Sequence, residues 1–400
     1  MLTPSPPPPA AAAAGGGRLM GYRRANGRVG IRNHVLVLGI NGLAVRVAER
    51  IAAAVCGCLC VATTAGRGHV EPDLTCQIDQ LAGLGRNPNV AAVLVVGVDA
   101  KTTELIAHRI AETGKPVETV TFAETGEDRL AVLDKGIRKA ATLVQQASLQ
   151  RREEFDVAEL IVGIECGHSD ATSGLVSNPV VGKAVDRLVD RGATVILGET
   201  VEWLGAEHRL ASRAGTPAIG EAIMDAVRQR EAMVAASGQS LTWNNPGEEN
   251  IQGGLSTIEE KALGAVIKSG SRIIDGVLEI AQAPRKPGLY LMDGPSFSPE
   301  SLTGFAAAGA QIMLFTTGPG NSFVNALAPT IKITAQAETA QRLIHQIDFD
   351  ASAVLSRGES LEAEGERLMA KIVDVACGTL TWGEVLGEGL EVLTRIRGSL

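Results

Sequence analysis

Hydrophobic positions fall along this chain in two alternating textures. Short, nearly unbroken runs of Val, Leu, Ile and Ala bounded by glycine predict strands buried on both faces, and the stretches between them carry apolar residues at helical spacing. The first series runs "HVLVLGI" (34–40), a helix in "GLAVRVAERIAAAV", the strand "CLCVATTA", a helix over 74–85, the strand "VAAVLVVGV", a helix over 103–113 and the strand "VETVTFA". A second series opens with "ELIVGIE" and continues through the helix "VVGKAVDRLVDRG", the strands "ATVILGET", "GVLEI" and "GLYLMDG", the helix "SLTGFAAAG" and the strand "AQIMLFTTG". Strands alternating with helices predict an α/β protein of two doubly wound, Rossmann-like parallel-sheet domains.

Between the two series, "QQASLQRREEF" (145–155) breaks the apolar rhythm, which sets the expected domains at 20–152 and 153–400. Ahead of them, residues 1–19 include "LTPSPPPPAAAAAGGG", whose Pro, Ala and Gly offer no periodic apolar face. Such a segment is expected to remain a disordered tail.

Composition narrows the class of partner. A formal net charge of -8, with no basic cluster, argues against a nucleic-acid or anionic-membrane surface and points to a small molecule or another protein. Six cysteines in 400 residues are too few and too irregularly spaced for a disulfide framework, so a reducing cytoplasm is expected. Three of them, Cys56, Cys58 and Cys60, alternate in "CGCLC", and on a strand that spacing turns them to one face for packing.

In open parallel sheets the loops at the carboxyl ends of the strands line the binding crevice. Here those loops are "ECGHSDATSG" (165–174), "GETVEWLGAEH" (198–208), "MDGPSFSPES" (292–301) and "FTTGPGNS" (315–322), joined by the long polar stretch "NNPGEENIQGGLSTIEEK" (244–261). Carboxylates, a thiol, imidazoles and amides converging on one crevice suit a divalent cation together with a hydroxylated acid. Plainer roles stand beside that one: Cys166 packed in the core, Asp170 capping the next helix, Asp293 forming a turn, and Lys332 snorkelling from "APTIKIT". A partly buried lysine can also stabilise an enolate or serve as a base. Neither a Walker sequence nor a G-x-G-x-x-G turn opens a helix, so no nucleotide is expected.

Five segments carry a family likeness: "GYRRANGRVGIRNHVLVL" (21–38), "NPNVAAVLVVG" (87–97), "ECGHSDATSGLVSNPVVGKAVDRLVDRGATVILGETVEWLGAEH" (165–208), "NPGEENIQGGLSTIEEKALGAV" (245–266) and "DGPSFSPESLTGFAAAGAQIMLFTTGPGNSF" (293–323). Together they resemble the altronate and galactarate dehydratase family, which also includes the sulfolactate sulfo-lyase large subunit. The resemblance implies a lyase that removes water or sulfite from a small 2-hydroxy carboxylic acid such as a sugar acid, with a divalent metal, Fe2+ or Mn2+. It implies His208, Lys261 and Asp293 as catalytic groups, Asp170, Asn245, Asn321 and Lys332 as substrate-positioning groups, and Glu165, Cys166, Glu199 and Glu202 as metal donors.

Two departures from the family pattern modify that expectation. The small domain that relatives carry ahead of this region is missing, which implies a separate small subunit; a homo-oligomer is also expected. After the second and third strands, where relatives carry a histidine and cysteines, this chain reads "TTAGRGH" (63–69) and Gly97-Val98-Asp99, leaving only His69 and Asp99. Those changes imply an altered metal site, or a non-catalytic family member that binds an acid or a partner subunit.

Overall fold

A computed structural model describes residues 19–66, 68–238, 240 and 245–395; the tail up to residue 18 lies outside them. Two parallel sheets organise the chain. The first contains β1 (His34–Gly39), β2 (Cys58–Ala62), β3 (Val90–Gly97) and β4 (Val117–Thr121) in the order β2-β1-β3-β4. Helices Val45–Ala54, Asp73–Arg86, Ala100–Ala111 and Arg129–Ala147 follow these strands in turn. All eight residues of β3 are buried, as a central strand covered on both faces requires.

The second sheet has seven strands: β5 (Ile161–Cys166), β6 (Thr194–Leu197), β7 (Ile274–Leu278), β8 (Gly288–Met292), β9 (Ile312–Thr316), β10 (Thr330–Thr334) and β11 (Phe349–Asp350). Their order, β7-β8-β6-β5-β9-β10-β11, places the change of direction between β5 and β9. In such sheets the strand ends part at that point and open a crevice. The loops leaving β5 and β9 are "GHSDATSG" and "TGPGNS", two of the polar stretches that the sequence singles out.

Order begins earlier than the apolar pattern predicts. Leu19–Arg23 is a strand that pairs antiparallel with Glu153–Phe155, and Leu19 is fully buried opposite Phe155. The pairing lies outside both parallel sheets, which is why the strand–helix alternation does not signal it. The helix Pro217–Ser237 likewise has no strong apolar stripe, although Thr216 accepts from Ile219 N at its start and Pro217 opens it.

The two sheets share a core. One buried cluster runs from Leu36, Leu38 and Val93 of the first sheet to Ile196, Met313 and Phe315 of the second. The helices Asp73–Arg86 and Ser298–Ala307 approach so closely that a β-carbon on Gly83 would stand 2.4 Å from the Ala307 carbonyl oxygen. Asn87 and Asn89 seal the joint, each donating its side-chain amide to two backbone carbonyls of the second unit at 2.8–2.9 Å. Among the described residues, no helix is long and apolar enough to cross a membrane.

Candidate active site

A cavity of ≈ 750 Å³ opens where β5 and β9 part. Cys166, Gly167 and His168 line it from the β5 loop, Asn321, Ser322 and Phe323 from the β9 loop, and Phe297, Ser298 and Pro299 from the start of the helix Ser298–Ala307. Glu199, Asn245 and Lys261 add polar groups, Glu249, Asn250, Ser296 and Glu388 also line the cavity, and Leu390 and Val392 of the C-terminal segment form one wall.

Two of the four non-glycine residues with positive φ among the described residues, His168 (54°) and Glu199 (54°), line this cavity. Left-handed backbone at a β-carbon-bearing residue stores strain, and such outliers cluster at functional sites. Gly198 allows the second kink: a β-carbon there would stand 2.1 Å from Ser301 Oγ and 2.9 Å from Glu165 Oε2. A glycine is therefore needed where the chain turns between the two carboxylates.

At the cavity floor lies a charge cluster whose inner members, Lys268, Glu165 and Glu202, are closed to solvent. The Lys268 ammonium donates to Glu202 Oε2 at 2.8 Å and to Cys166 Sγ at 3.1 Å, and stands 3.4 Å from Glu165 Oε1. The Cys166 thiol donates to Glu202 Oε2 at 3.2 Å, and Ser301 Oγ donates to Glu165 Oε2 at 2.8 Å. Lys261 reaches the same Glu202 carboxylate at 3.3 Å while donating to Asn245 Oδ1 at 2.6 Å.

Burial and charge sort the three carboxyls into different states. Burial raises Glu165 to about 7 and raises Glu199 well above the usual carboxylate range, with the neighbouring carboxylates adding to both. Burial would raise Glu202 too, but the ammonium groups of Lys268 and Lys261 outweigh it and hold the group ionised. Burial pushes the Cys166 thiol up to about 12, so it stays protonated. Glu199 Oε1 is buried beside the cavity without a hydrogen-bond partner, while the carboxyl also bonds Ser298.

The expected residues therefore divide. Cys166, Glu199, Asn245, Lys261 and Asn321 line the cavity, with Glu165 and Glu202 directly behind it. Asp170 does not reach it: its carboxylate accepts from Ser173 N at 3.0 Å, Thr172 Oγ1 at 2.7 Å and Gln336 Nε2 at 3.2 Å, tying the β5 loop to the segment after β10. Asp293 accepts from Thr200 Oγ1 at 2.6 Å and Arg230 at 2.9 Å, and so fixes the residue next to Glu199. Lys332 is buried on β10 and donates to the Asn321 carbonyl, supporting that loop from below; burial lowers it to about 8.

His208 projects from the short helix Glu207–Ala211 with its side chain 80% exposed beside Glu207, away from the cavity lining. Spacing alone could not show this, because the chain turns at Gly205 (φ 83°) and carries that helix outward. Lys268 and Ser301 were missed. "VIKSG" reads as the exposed end of a helix, and only the fold shows that its lysine points inward. His168 stood in the loop that drew attention to the site, but its chain position did not distinguish it from its neighbours.

The metal expectation meets a specific obstacle. Glu165, Cys166 and Glu202 do converge, with one donor atom from each lying within 4.8 Å of the others. Their centre, however, faces the Lys268 ammonium, whose contacts are those of an ion pair and exceed the roughly 2.0–2.3 Å of bonds from oxygen or sulfur to a metal such as zinc. As arranged, these residues do not fit a metal at that point.

At the other sheet, His69 and Asp99 border a cavity of ≈ 220 Å³ at the carboxyl ends of β1 and β3. Asp99 is engaged there as a helix cap, accepting from Thr102 N at 2.9 Å. Of the "CGCLC" cysteines, Cys58 and Cys60 lie half-buried on β2, while Cys56 is exposed in the turn before it.

A parallel-sheet crevice lined by a buried carboxyl, an imidazole and an ammonium brings acid–base groups together in one cavity. The chain belongs to the D-galactarate/altronate dehydratase family: residues 157–397 match its C-terminal domain, described as "D-galactarate/Altronate dehydratase, C-terminal". Residues 21–148 match the "D-galactarate dehydratase/Altronate hydrolase, second domain". Among curated relatives, "(2R)-sulfolactate sulfo-lyase subunit beta" of Chromohalobacter salexigens is 41% identical over 94% of this chain and 97% of its own length. "Altronate dehydratase" of Escherichia coli is 31% identical over 91% of this chain and 74% of its own, and "Galactarate dehydratase (L-threo-forming)" of the same organism is 30% identical over 90% and 72%.

Proposed function

We propose that this protein is a lyase that eliminates water from a small 2-hydroxy carboxylic acid of the sugar-acid type. The observation that carries the reading is the carboxyl of Glu199, held well above the usual carboxylate range by burial and with Oε1 free of any hydrogen-bond partner, sharing a cavity with Lys261 and His168. Elimination needs a base for the proton alpha to the carboxylate, positive charge to stabilise the aci-carboxylate, and an acid for the departing hydroxide. The cavity offers one group for each task.

Lys261, with Asn245 beside it, receives the substrate carboxylate. His168 Nδ1 lies 3.1 Å from the Gly320 carbonyl, an arrangement that makes Nδ1 the donor and leaves Nε2 free to take the alpha proton. Glu199 then delivers its proton to the leaving oxygen as the carbon–oxygen bond breaks, and the enol product tautomerises to a 2-keto acid. Glu202 stays ionised and keeps Lys261 in place. A neutral carboxyl can also donate to a bound anion, so the elimination assay decides between catalysis and binding alone. Any Fe2+ or Mn2+ would have to be held away from the Glu165–Cys166–Glu202 triangle, and no step here runs through it.

A second reading has sulfite as the leaving group. It is supported by the end-to-end match to a relative named as a sulfo-lyase subunit beta, whereas the dehydratases extend beyond the matched region. That comparison also supports a separate small partner subunit for this chain, and a self-associating assembly in the cytoplasm belongs to the same proposal. The test is to incubate the protein, with and without the small subunit, with a panel of aldonic and aldaric acids and with sulfolactate, measuring keto acid and sulfite. Keto acid without sulfite supports the hydro-lyase, and sulfite release from sulfolactate supports the second reading. Absence of both products from every acid overturns the lyase assignment.

A further inference from the structure

We propose that Lys268 is the resident cation of the Glu165–Cys166–Glu202 cluster, so that in this chain three donors of metal-binding type hold a lysine ammonium in place of a divalent metal. The geometry is that of a filled site. Lys268 donates hydrogen bonds to Glu202 at 2.8 Å and Cys166 at 3.1 Å and pairs with Glu165 at 3.4 Å, so three different side chains surround its ammonium. Its own side chain is 1% exposed, and those of Glu165 and Glu202 are 0% and 2% exposed, so water has no access to replace either partner.

The charges balance. Above about pH 7 Glu165 joins the ionised Glu202 in supplying two negative charges, and Lys268 and Lys261 supply two positive ones within 3.4 Å of them. A divalent ion bonded to the same three donors would lie against the ammonium nitrogen. It would leave the enclosed cluster with four positive charges against two negative, a large desolvation cost in a region without solvent. Lys268 cannot swing aside, because it leaves the one-turn helix Ile267–Ser269 between two packed helices, Asn178–Asp190 and Ile258–Val266.

The consequence for the site is positional. With its charge fixed covalently to the fold, the cluster needs no ion to hold the end of β5 against the Glu199–Trp203 turn. Cys166 carries that order to the cavity lining.

Cobalt(II) provides a direct test, since a cobalt–thiolate bond gives an intense near-ultraviolet charge-transfer band whether or not the protein turns over. The full-length protein, purified anaerobically, is titrated with Co2+ alongside Cys166→Ser, and bound iron, manganese and zinc are measured in both. The expected result is no sulfur-to-cobalt band in the parent protein that Cys166→Ser removes, and the same metal stoichiometry in Cys166→Ser, whatever metal either binds at the other free cysteines. A band in the parent protein that Cys166→Ser abolishes would overturn the proposal. Loss of one equivalent of metal in the variant would overturn it equally. Neither outcome depends on the elimination assay.

Discussion

Glu199 and Glu202 stand three residues apart on one turn, and the fold holds them in opposite states. Glu199 is kept protonated by burial and by neighbouring carboxylates, while Glu202 is kept ionised by two ammonium groups at 2.8 and 3.3 Å. Carboxyls whose environments drive their proton affinities apart are how one site obtains both an acid and a fixed anion.

That separation predicts different consequences for the same substitution. Glu199→Gln keeps the shape of a neutral carboxyl but cannot release a proton, so turnover should fall by about 10²–10⁴-fold with the melting temperature nearly unchanged. Glu202→Gln should instead lower stability, because it leaves Lys268 and Lys261 without their shared counter-ion. Steady-state kinetics and thermal unfolding on both variants check the contrast.

Lys268→Met removes the ammonium that touches both Glu165 and Glu202 while keeping most of the side-chain volume. Breaking a buried ion pair from one side is expected to cost about 3–5 kcal/mol. Denaturant unfolding should therefore show a large drop in midpoint. A change within the error of the measurement would mean that the cluster is not charged as described.

Much of this fold was legible in the sequence because its strands are buried on both faces. "VAAVLVVGV" admits few other readings, and it forms a central strand. The crevice was legible for a related reason, since polar loops directly after such strands mark carboxyl ends. What could not be read was side-chain direction in irregular segments. Glu199 is itself a left-handed residue and Glu202 lies in the 3-10 turn that follows it, so no helical or strand period relates them. Lys268 joins the site only through packing against residues about a hundred positions earlier. His208 and Lys332 illustrate the converse, as suggestive residue types that the fold directs to the surface and beneath a loop.

The two histidines give a matched pair of tests. His168→Ala should reduce turnover by about 10²–10⁴-fold, as loss of a general base does. His208→Ala, at an exposed position off the cavity, should leave both turnover and stability unchanged. Comparable losses in the two variants would contradict the role given to His168.

The C-terminal segment contributes a pH dependence of its own. Glu391 accepts from Asn325 Nδ2 at 2.8 Å and from Ala326 N at 3.2 Å, and burial raises it from 4.5 to about 7. Below the lower value both the folded and unfolded chains hold the proton. As pH rises from 4.5 to 7 the unfolded chain ionises first, so stability falls across that window, by about 3 kcal/mol in all. Glu391→Gln should flatten this part of the stability–pH curve; an unchanged slope would assign the titration to another group.

The most direct test of the central claim follows substrate protons by NMR in D2O. With an acid that the protein turns over, the parent protein should convert the alpha-proton signal into a keto acid carrying deuterium at C3. Glu199→Gln should still exchange the alpha proton, through His168, while releasing almost no product. Elimination by Glu199→Gln at the parent rate would contradict the assignment of the acid. Neither exchange nor product from any acid with the parent protein would contradict the lyase itself.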